Sequence, residues 1–475
     1  MTAEQGRTAA RGASPAREAA ILALRAIEVE GERATSALDM ALQRRRLPAA
    51  ERALAAELVY GTTRRRLTLD WVLRLYLRRD LTALTPWIRN ILRLGVYQLL
   101  FLTDLPAAVV CDQSAHLAGR FGHRGTVGLV NAVLRRVAQE REKITWPDPE
   151  REPAAFLSVV HSHPRWLVER WLERWGFAET AALCQANNEV PPLSLRTNLL
   201  RTTREQLLQA FSAQGLAAEP SPWAPAGIRL PAGSYTKGAE DFLRQGLCQV
   251  QDESSMLVGY LMAPQPGMRI LDACCGPGGK ATQLAELAGD RVRIAAVDDN
   301  PRQLALLREN ARRLGIASVE AVEADVRTLP AREGFAASFD CVLVDAPCSG
   351  LGVLRRRADA RWRKRPEDLT TLPVLQGEIL RAAARCVRPG GVLVYCTCST
   401  EPEENEEVVH RFLAEEQGFT LTPVADFLPP SARARLAALG EESGNGRPFL
   451  RLYPHRHGTD GFFIARLVYA PSPEN

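Results

Sequence analysis

The sequence predicts a multidomain chain: an all-α bundle, then a small α+β module, then an α/β Rossmann-like domain. Three observations predict it. A length of 475 residues exceeds one ordinary domain, at roughly 100–200 residues per domain. Apolar residues recur at three- and four-residue spacing as far as about Glu142, with no clear strand. After Gly267 short apolar runs alternate with helical ones, the pattern of a doubly wound, mostly parallel sheet.

Residues 1–15 are rich in Ala, Gly, Thr and Arg without periodicity and are expected to form a disordered arm. Residues 16–145 carry the helical stripes. Leu58 and Val59 begin one; Leu69, Val72, Leu73 and Leu75 form the next; Ile88, Ile91, Leu92 and Leu94 a third; Val130, Val133 and Leu134 a fourth. Trp146-Pro147-Asp148-Pro149 breaks the pattern as a linker. Residues 150–235 mix helix with the strand-like Leu193–Arg196, and Trp166, Trp171 and Trp175 are read as core anchors rather than base-stacking platforms. From 236 to 475 strands are expected at 269–271, 294–297, 319–322, 341–344 and 392–395, with helices at 281–287, 301–314 and 375–386.

Hydrophobic residues at 46% and charged residues at 24% exclude a disordered or collagen-like chain. No apolar stretch approaches the ~18 residues that span a bilayer, so no membrane partner is expected. The N-terminus has no signal-peptide core, and a reducing cytoplasm is the expected compartment. The ten cysteines include no Cys-x-x-Cys pair, so neither a metal site nor a disulfide scaffold is expected. A monomer is the default. The charge of +5 is unevenly spread: residues 1–150 hold 23 Lys+Arg against 16 Asp+Glu, a net of +7, so the rest sums to −2. A basic first third points to a polyanion, although only four of the 60 basic residues are Lys, a bias that composition alone could produce.

In a doubly wound sheet, ligands bind beyond the carboxyl ends of the strands. The first strand runs into Cys274, Cys275, Gly276, Pro277, Gly278, Gly279 and Lys280, a glycine loop that leaves helix N-terminal N–H groups free for a ligand. Asp298 and Asp325 follow the second and third strands, where cofactor contact competes with capping of the next turn. The loop and Asp298 fit either NAD or S-adenosylmethionine. The fourth strand delivers Asp345 and Cys348, the fifth Cys398. If those strands are neighbours, both thiols face one crevice. Arg355, Arg356, Arg357, Arg361, Arg363, Lys364 and Arg365 follow, a basic run expected to contact RNA phosphates.

Asp345-Ala346-Pro347-Cys348-Ser349-Gly350 and Thr397-Cys398-Ser399, behind a Cys-x-x-Pro-Gly-Gly-Lys loop, resemble the RNA cytosine-C5 methyltransferases of the Nop/Sun family. Gln251–Ser255 and Asp460–Phe463 extend the likeness. Cys275 and Gly276 depart from it, standing where the family commonly has alanines. Glu57–Gly61, Arg93–Leu99 and Val130–Arg136 are similar to the RNA-binding domain of the antitermination factor NusB. The resemblance implies a class I methyltransferase domain using S-adenosylmethionine, with Cys398 as nucleophile at cytosine carbon 6, Cys348 assisting product release, and Asp345 on the base edge and against the cofactor. It implies small-subunit (16S) rRNA as substrate, with tRNA or another rRNA as the alternative. A neighbouring Lys, with Lys280 as the candidate, or a helix N-terminus is the expected means of lowering a thiol pKa. An NAD(P)-dependent oxidoreductase leaves the two strand-end cysteines unexplained, and a non-catalytic assembly factor leaves the whole catalytic set unexplained.

Overall fold

The structure is a computed structural model and describes residues 13–43, 45–232, 237–441 and 448–470. The arm expected over 1–15 lies outside the described residues as far as residue 12; Ser14 already caps the first helix, Pro15–Arg25, accepting from the Arg17 N–H. The chain divides into two compact units, Met1–Asn188 with Arg357–Lys364, and Glu189–Arg356 with Arg365–Asn475.

In the first unit the predicted stripes become one core. Leu58, Val59, Leu69, Val72, Leu73, Ile88, Ile91, Leu92, Leu94, Val130, Val133 and Leu134 are buried together. Leu75 departs from its stripe and lies exposed. Gly95 explains part of the helical motif: a Cβ there would stand 2.5 Å from Leu134 Cδ1, so only glycine lets the helices Pro86–Phe101 and Arg124–Glu140 approach this closely. Some of the basic excess is internal. Buried Arg93 grips Asp70 through Nε and Nη2 at 2.6 and 2.8 Å and reaches Glu28 at 2.9 Å, the bidentate geometry that makes a buried guanidinium tolerable. The helices Pro153–His161 and Arg165–Ala186 belong to the same unit, with Trp171 fully buried as an anchor and packed edge-on to His163.

The basic run expected to contact RNA is largely structural, and this corrects the reading of its charge. Arg361 is fully buried in the first unit, donating to the Ser162 and Asn187 carbonyls and to Asn188 Oδ1 at 2.8–3.0 Å. Trp362 donates its indole N–H to the Thr63 carbonyl at 2.7 Å. In the second unit Arg355 and Arg356 are held by Asp460 and Asp252. Arg363 lies exposed but pairs with Asp359 at 2.7 Å. Arg357 and Arg365 are exposed and Lys364 is half-buried, leaving these three as the part of the run that geometry leaves open to a polyanion. A linear run of charge cannot reveal which guanidiniums meet carbonyls and carboxylates supplied from far along the chain.

The second unit contains two sheets. The smaller is antiparallel, with β1 (Leu193–Thr197), β2 (Glu219–Pro220), β3 (Gly227–Leu230) and β4 (Cys248–Val250) in the order β2-β3-β1-β4. Its last strand comes from beyond residue 235. Thr203 and Gln206 form a reciprocal cap on the helix Arg204–Ala213, which packs Leu207 and Phe211 on this sheet. From β1 the buried Arg196 donates to both Glu286 oxygens at 2.9 Å and to the Gly279 carbonyl at 2.7 Å.

The larger sheet has β5 (Arg269–Asp272), β6 (Arg293–Asp298), β7 (Val319–Glu323), β8 (Phe339–Asp345), β9 (Val387–Thr397), β10 (Phe419–Leu421), β11 (Phe449–Leu452) and β12 (Phe462–Tyr469). The order is β10-β12-β9-β8-β5-β6-β7, with β11 on β12. Strands β5 to β9 pair in parallel, and β12 joins β9 antiparallel. Side chains alternate between two cores: Ile270, Ile294, Leu343 and Val394 on one face, Leu271, Val297, Val342 and Leu393 on the other. Helices on both faces give the doubly wound arrangement the sequence predicts. Among the described residues no helix is long and apolar enough to cross a membrane, and no group of three or more His, Cys, Asp or Glu could hold a metal ion.

Candidate functional site

β8 and β9 are direct parallel neighbours, with Val344 opposite Tyr395 and Asp345 opposite Cys396. The register places the cysteine three residues beyond Asp345 beside the cysteine two residues beyond Cys396. Cys348 Sγ and Cys398 Sγ stand 3.3 Å apart, both partly exposed. Cys396 lies on the strand itself, fully buried, with its Sγ 3.4 Å from Asp345 Oδ1.

Backbone hydrogen bonds hold the thiol loops from beneath. The Gly352 N–H donates to the Cys398 carbonyl at 2.9 Å, and the Gly461 N–H to the Gly352 carbonyl at 2.8 Å. A Cβ on Gly352 would overlap Gly461 and come within 2.8 Å of the Cys398 carbonyl oxygen. That close approach gives Gly461 its purpose, and Asp460 beside it closes a buried ion cluster: Arg355 Nε–Asp460 Oδ1 2.6 Å, Arg356 Nε–Asp460 Oδ2 2.7 Å, Arg356 Nη2–Asp252 Oδ2 2.8 Å. Burial raises the Asp460 carboxyl, whereas at Asp252 the two guanidiniums outweigh burial and lower it. Two motifs some 200 residues apart thus serve one scaffold.

Glu404 is a central residue that sequence reading did not single out. Fully buried, it accepts from the Ser349 N–H at 2.7 Å, the Ser349 hydroxyl at 2.5 Å, the Ser399 hydroxyl, and Gln376 Nε2 at 3.2 Å. Asn405 beside it donates to the Ser399 carbonyl at 3.1 Å. The available signal was a Glu-Glu-Asn cluster just after the second cysteine, which by itself reads as a solvated helix start.

The glycine loop joins the same crevice. The Cys275 N–H donates to the Val297 carbonyl at 2.9 Å and the Gly276 N–H to Asp298 Oδ2 at 3.0 Å. Asn300, not Asp298, caps the following helix, so one Asp298 oxygen supports the loop while the other accepts from the Asn300 N–H. Asp325 does cap its turn and pairs with Arg327 at 2.7 Å, which lowers its carboxyl. Cys274 is partly exposed and Cys275 buried; burial raises both thiols.

Gly278 starts the helix Gly279–Leu287 at φ +83°, and a Cβ there would overlap Leu307. Gly276, at φ +51°, has open space. Gly278→Ala is therefore expected to lose about 1–3 kcal/mol of stability and most of its affinity for a loop-bound ligand. Gly276→Ala is expected to lose about 1–2 kcal/mol at most. Urea denaturation with ligand titration checks both, and equal losses would deny the Leu307 clash.

Lys280 Nζ, expected as a candidate thiol neighbour, donates to Asp345 Oδ2 at 2.6 Å. Burial works against its charge, but Asp345 raises its ammonium pKa above the usual lysine value. Asp272, at the end of β5, was also missed. It is fully buried, and among the described residues no side chain donates to its carboxylate, which has the Cys274 backbone N–H beside it. Burial and then the nearby Asp345 push its carboxyl up to about 7. The signal was positional: an acid closing the first strand of a doubly wound sheet.

Residues 259–468 match the family described as 16S rRNA methyltransferase RsmB/F, residues 14–139 the NusB family, and residues 163–234 a ferredoxin-like domain of RsmF/B-like methyltransferases. The chain is 34% identical over 458 residues to a probable ribosomal RNA small subunit methyltransferase B of Bacillus subtilis, covering 95% of this chain and 98% of that one. A probable ribosomal RNA small subunit methyltransferase B of Synechocystis is 36% identical, with 96% and 99% covered. Among solved structures, PH0851 superposes with a TM-score of 0.79 at 27% identity, covering 96% of this chain and 100% of the other. A methyltransferase homologue from Pyrococcus horikoshii gives 0.54 at 26%, covering 67% and 99%. With a NusB domain, a ferredoxin-like module and paired strand-end thiols on a doubly wound sheet, the chain belongs to the RsmB/F family of 16S rRNA methyltransferases.

Proposed function

We propose that this protein methylates carbon 5 of a cytosine in small-subunit (16S) rRNA, using S-adenosylmethionine and a covalent bond from Cys398 to carbon 6 of the base. The observation that carries the reading is the 3.3 Å separation of Cys348 and Cys398 at the ends of adjacent strands. One thiol can add to the ring while the other handles a proton or the elimination.

The glycine loop fits the cofactor. Gly278 has no room for a side chain, and free helix N-terminal N–H groups follow it. Asp298 at the end of β6 suits ribose hydroxyls. The Asp272 carboxylate, to which no described side chain donates, suits a donor such as an ammonium, since a buried acceptor short of donors is costly. Cys274, Cys275, Gly276, Pro277, Gly279 and Lys280 complete the cradle, and Asp325 flanks it. When bound, S-adenosylmethionine supplies an electrophilic methyl group.

The chemistry then lies with the protein. Addition of the Cys398 thiolate to carbon 6 turns carbon 5 into an enamine-like nucleophile. Asp345, held by Lys280, faces the crevice and can hydrogen-bond the N3/N4 edge as that edge gains a proton. After methyl transfer a water molecule takes the carbon 5 proton, and the electron pair left behind expels the Cys398 sulfur from carbon 6 as a thiolate, the release step that Cys348 assists. The target base must be unstacked to enter, so a loop or a locally opened helix is the expected substrate. Arg357, Lys364 and Arg365 are the residues of the basic run assigned to phosphate contact.

Bisulfite sequencing of rRNA from cells lacking this chain tests the reading. One 16S cytosine is expected to lose its protection. Unchanged cytosine protection throughout 16S rRNA, with a protected tRNA cytosine lost instead, would move the assignment to tRNA.

A further inference from the structure

The two thiols are alike in sequence setting: each follows a strand, and each is followed by a serine. What distinguishes them is how Glu404 meets each loop. Its Oε1 lies 2.7 Å from the Ser349 N–H, directly on the backbone adjoining Cys348. Its Oε2 meets the other loop at the tip of the Ser399 hydroxyl. Each hydroxyl in turn accepts a backbone N–H, from Leu351 at 3.4 Å and from Glu401 at 3.2 Å. One carboxylate therefore ties together both cysteine loops.

Two thiols at 3.3 Å favour sharing one proton, because a thiolate beside a thiol accepts a hydrogen bond whereas two thiolates repel. The surroundings decide where that proton rests. Asp345, three residues before Cys348, and Glu404, against the next amide, both oppose negative charge on Cys348. The Cys348 thiol is accordingly raised well above its ordinary value, first by its hydrogen bond with Cys398, then by burial, then by the charge of Cys398 and, after it, of these carboxylates. Tyr395 on β9 also meets Cys348, while Cys396 and Lys280 lie against the two oxygens of Asp345. Tyr395 donates its hydroxyl to the Glu404 carbonyl at 2.6 Å, and Lys280 is committed to Asp345. Gln376, from the helix Asp368–Ala384, is uncharged.

We propose that Glu404 is a positioning residue that binds the Cys348 and Cys398 loops to one carboxylate, and whose negative charge keeps the shared proton on Cys348 so that Cys398 is the thiolate. The inference rests on Cys398 as nucleophile and adds the residue that selects it. The carboxylate acts through the thiols and does not touch the base.

Alkylation of the full-length protein by iodoacetamide across pH 6–10, with each site resolved by mass spectrometry, tests it without RNA or cofactor. In the unmodified protein Cys398 is expected to react well ahead of Cys348 at neutral pH; the reverse order overturns the proposal whether or not any variant folds. Glu404→Gln keeps the shape and removes the charge. It is expected to bring the onset of Cys348 alkylation down by about one pH unit and to cut the preference for Cys398 about tenfold. An unchanged Cys348 profile in folded Glu404→Gln overturns the proposal. Ser399→Ala removes one tether and keeps the charge, so kcat should fall while the Cys348 onset stays in place; an onset that moves as far as in Glu404→Gln would reduce Glu404 to a structural role. If the alkylation pattern holds but no RNA adduct forms with any variant, it is the covalent methyl-transfer reading that fails.

Discussion

Replacing Cys398 with alanine is expected to lower methyl transfer at least about 10⁴-fold, the scale seen when a covalent nucleophile is removed, and to abolish any covalent protein–RNA complex. Replacing Cys348 is expected to stop turnover differently: the adduct forms and accumulates, because elimination of the sulfur from carbon 6 is impaired. The contrast follows from the proposed roles, in which two thiols 3.3 Å apart take opposite ends of one reaction. Denaturing electrophoresis with a labelled 16S rRNA transcript and S-adenosylmethionine reads both outcomes. An adduct that survives without Cys398 would exchange the two roles. Both cysteines are partly exposed, and Cys398 touches the core only from its edge, so thermal unfolding should change little.

Asp460→Ala is expected to have the largest effect on stability, about 3–5 kcal/mol, because removing one partner from a buried ion cluster leaves uncompensated charge behind. Arg355 would lose its 2.6 Å partner and Arg356 its 2.7 Å partner, with Asp252 alone left to face both. The damage should reach the site as well, since Gly461 supports Gly352, which supports the Cys398 carbonyl. Urea denaturation measures the loss, and a change below about 1 kcal/mol would show that solvent replaces the carboxylate. Asp460 lies within a motif noted from its family resemblance alone; the structure supplies the physical cause for it.

Much of the fold was legible because it depends on local pattern. Stripes at three- and four-residue spacing bury the residues they name, as at Leu69, Val72 and Leu73. The five expected strands appear as β5 to β9, each flanked by the helices expected. Strand-end position found Asp345, Cys348 and Cys398, because a doubly wound sheet always opens its crevice there. Leu75, one residue from the end of the helix Arg66–Tyr76, is exposed although it continues the stripe.

What a linear reading cannot supply is the far partner. Arg361 and Arg357 are equal in sequence, yet one is buried against carbonyls more than 170 residues away and the other is exposed. Lys280 is bonded to Asp345, a partner that lies 65 residues away. Asp272 and Glu404 escaped notice because a buried carboxylate is recognised by its donors, or by their absence, and those come from other elements. The sequence by itself determined the fold class, the domain order, the glycine loop and the cysteine pair, since each is written in local spacing. Only the tertiary structure decided which charges are internal struts and how one carboxylate addresses two thiols, because charge pairing in a dry interior depends on distances that the chain sets only once folded.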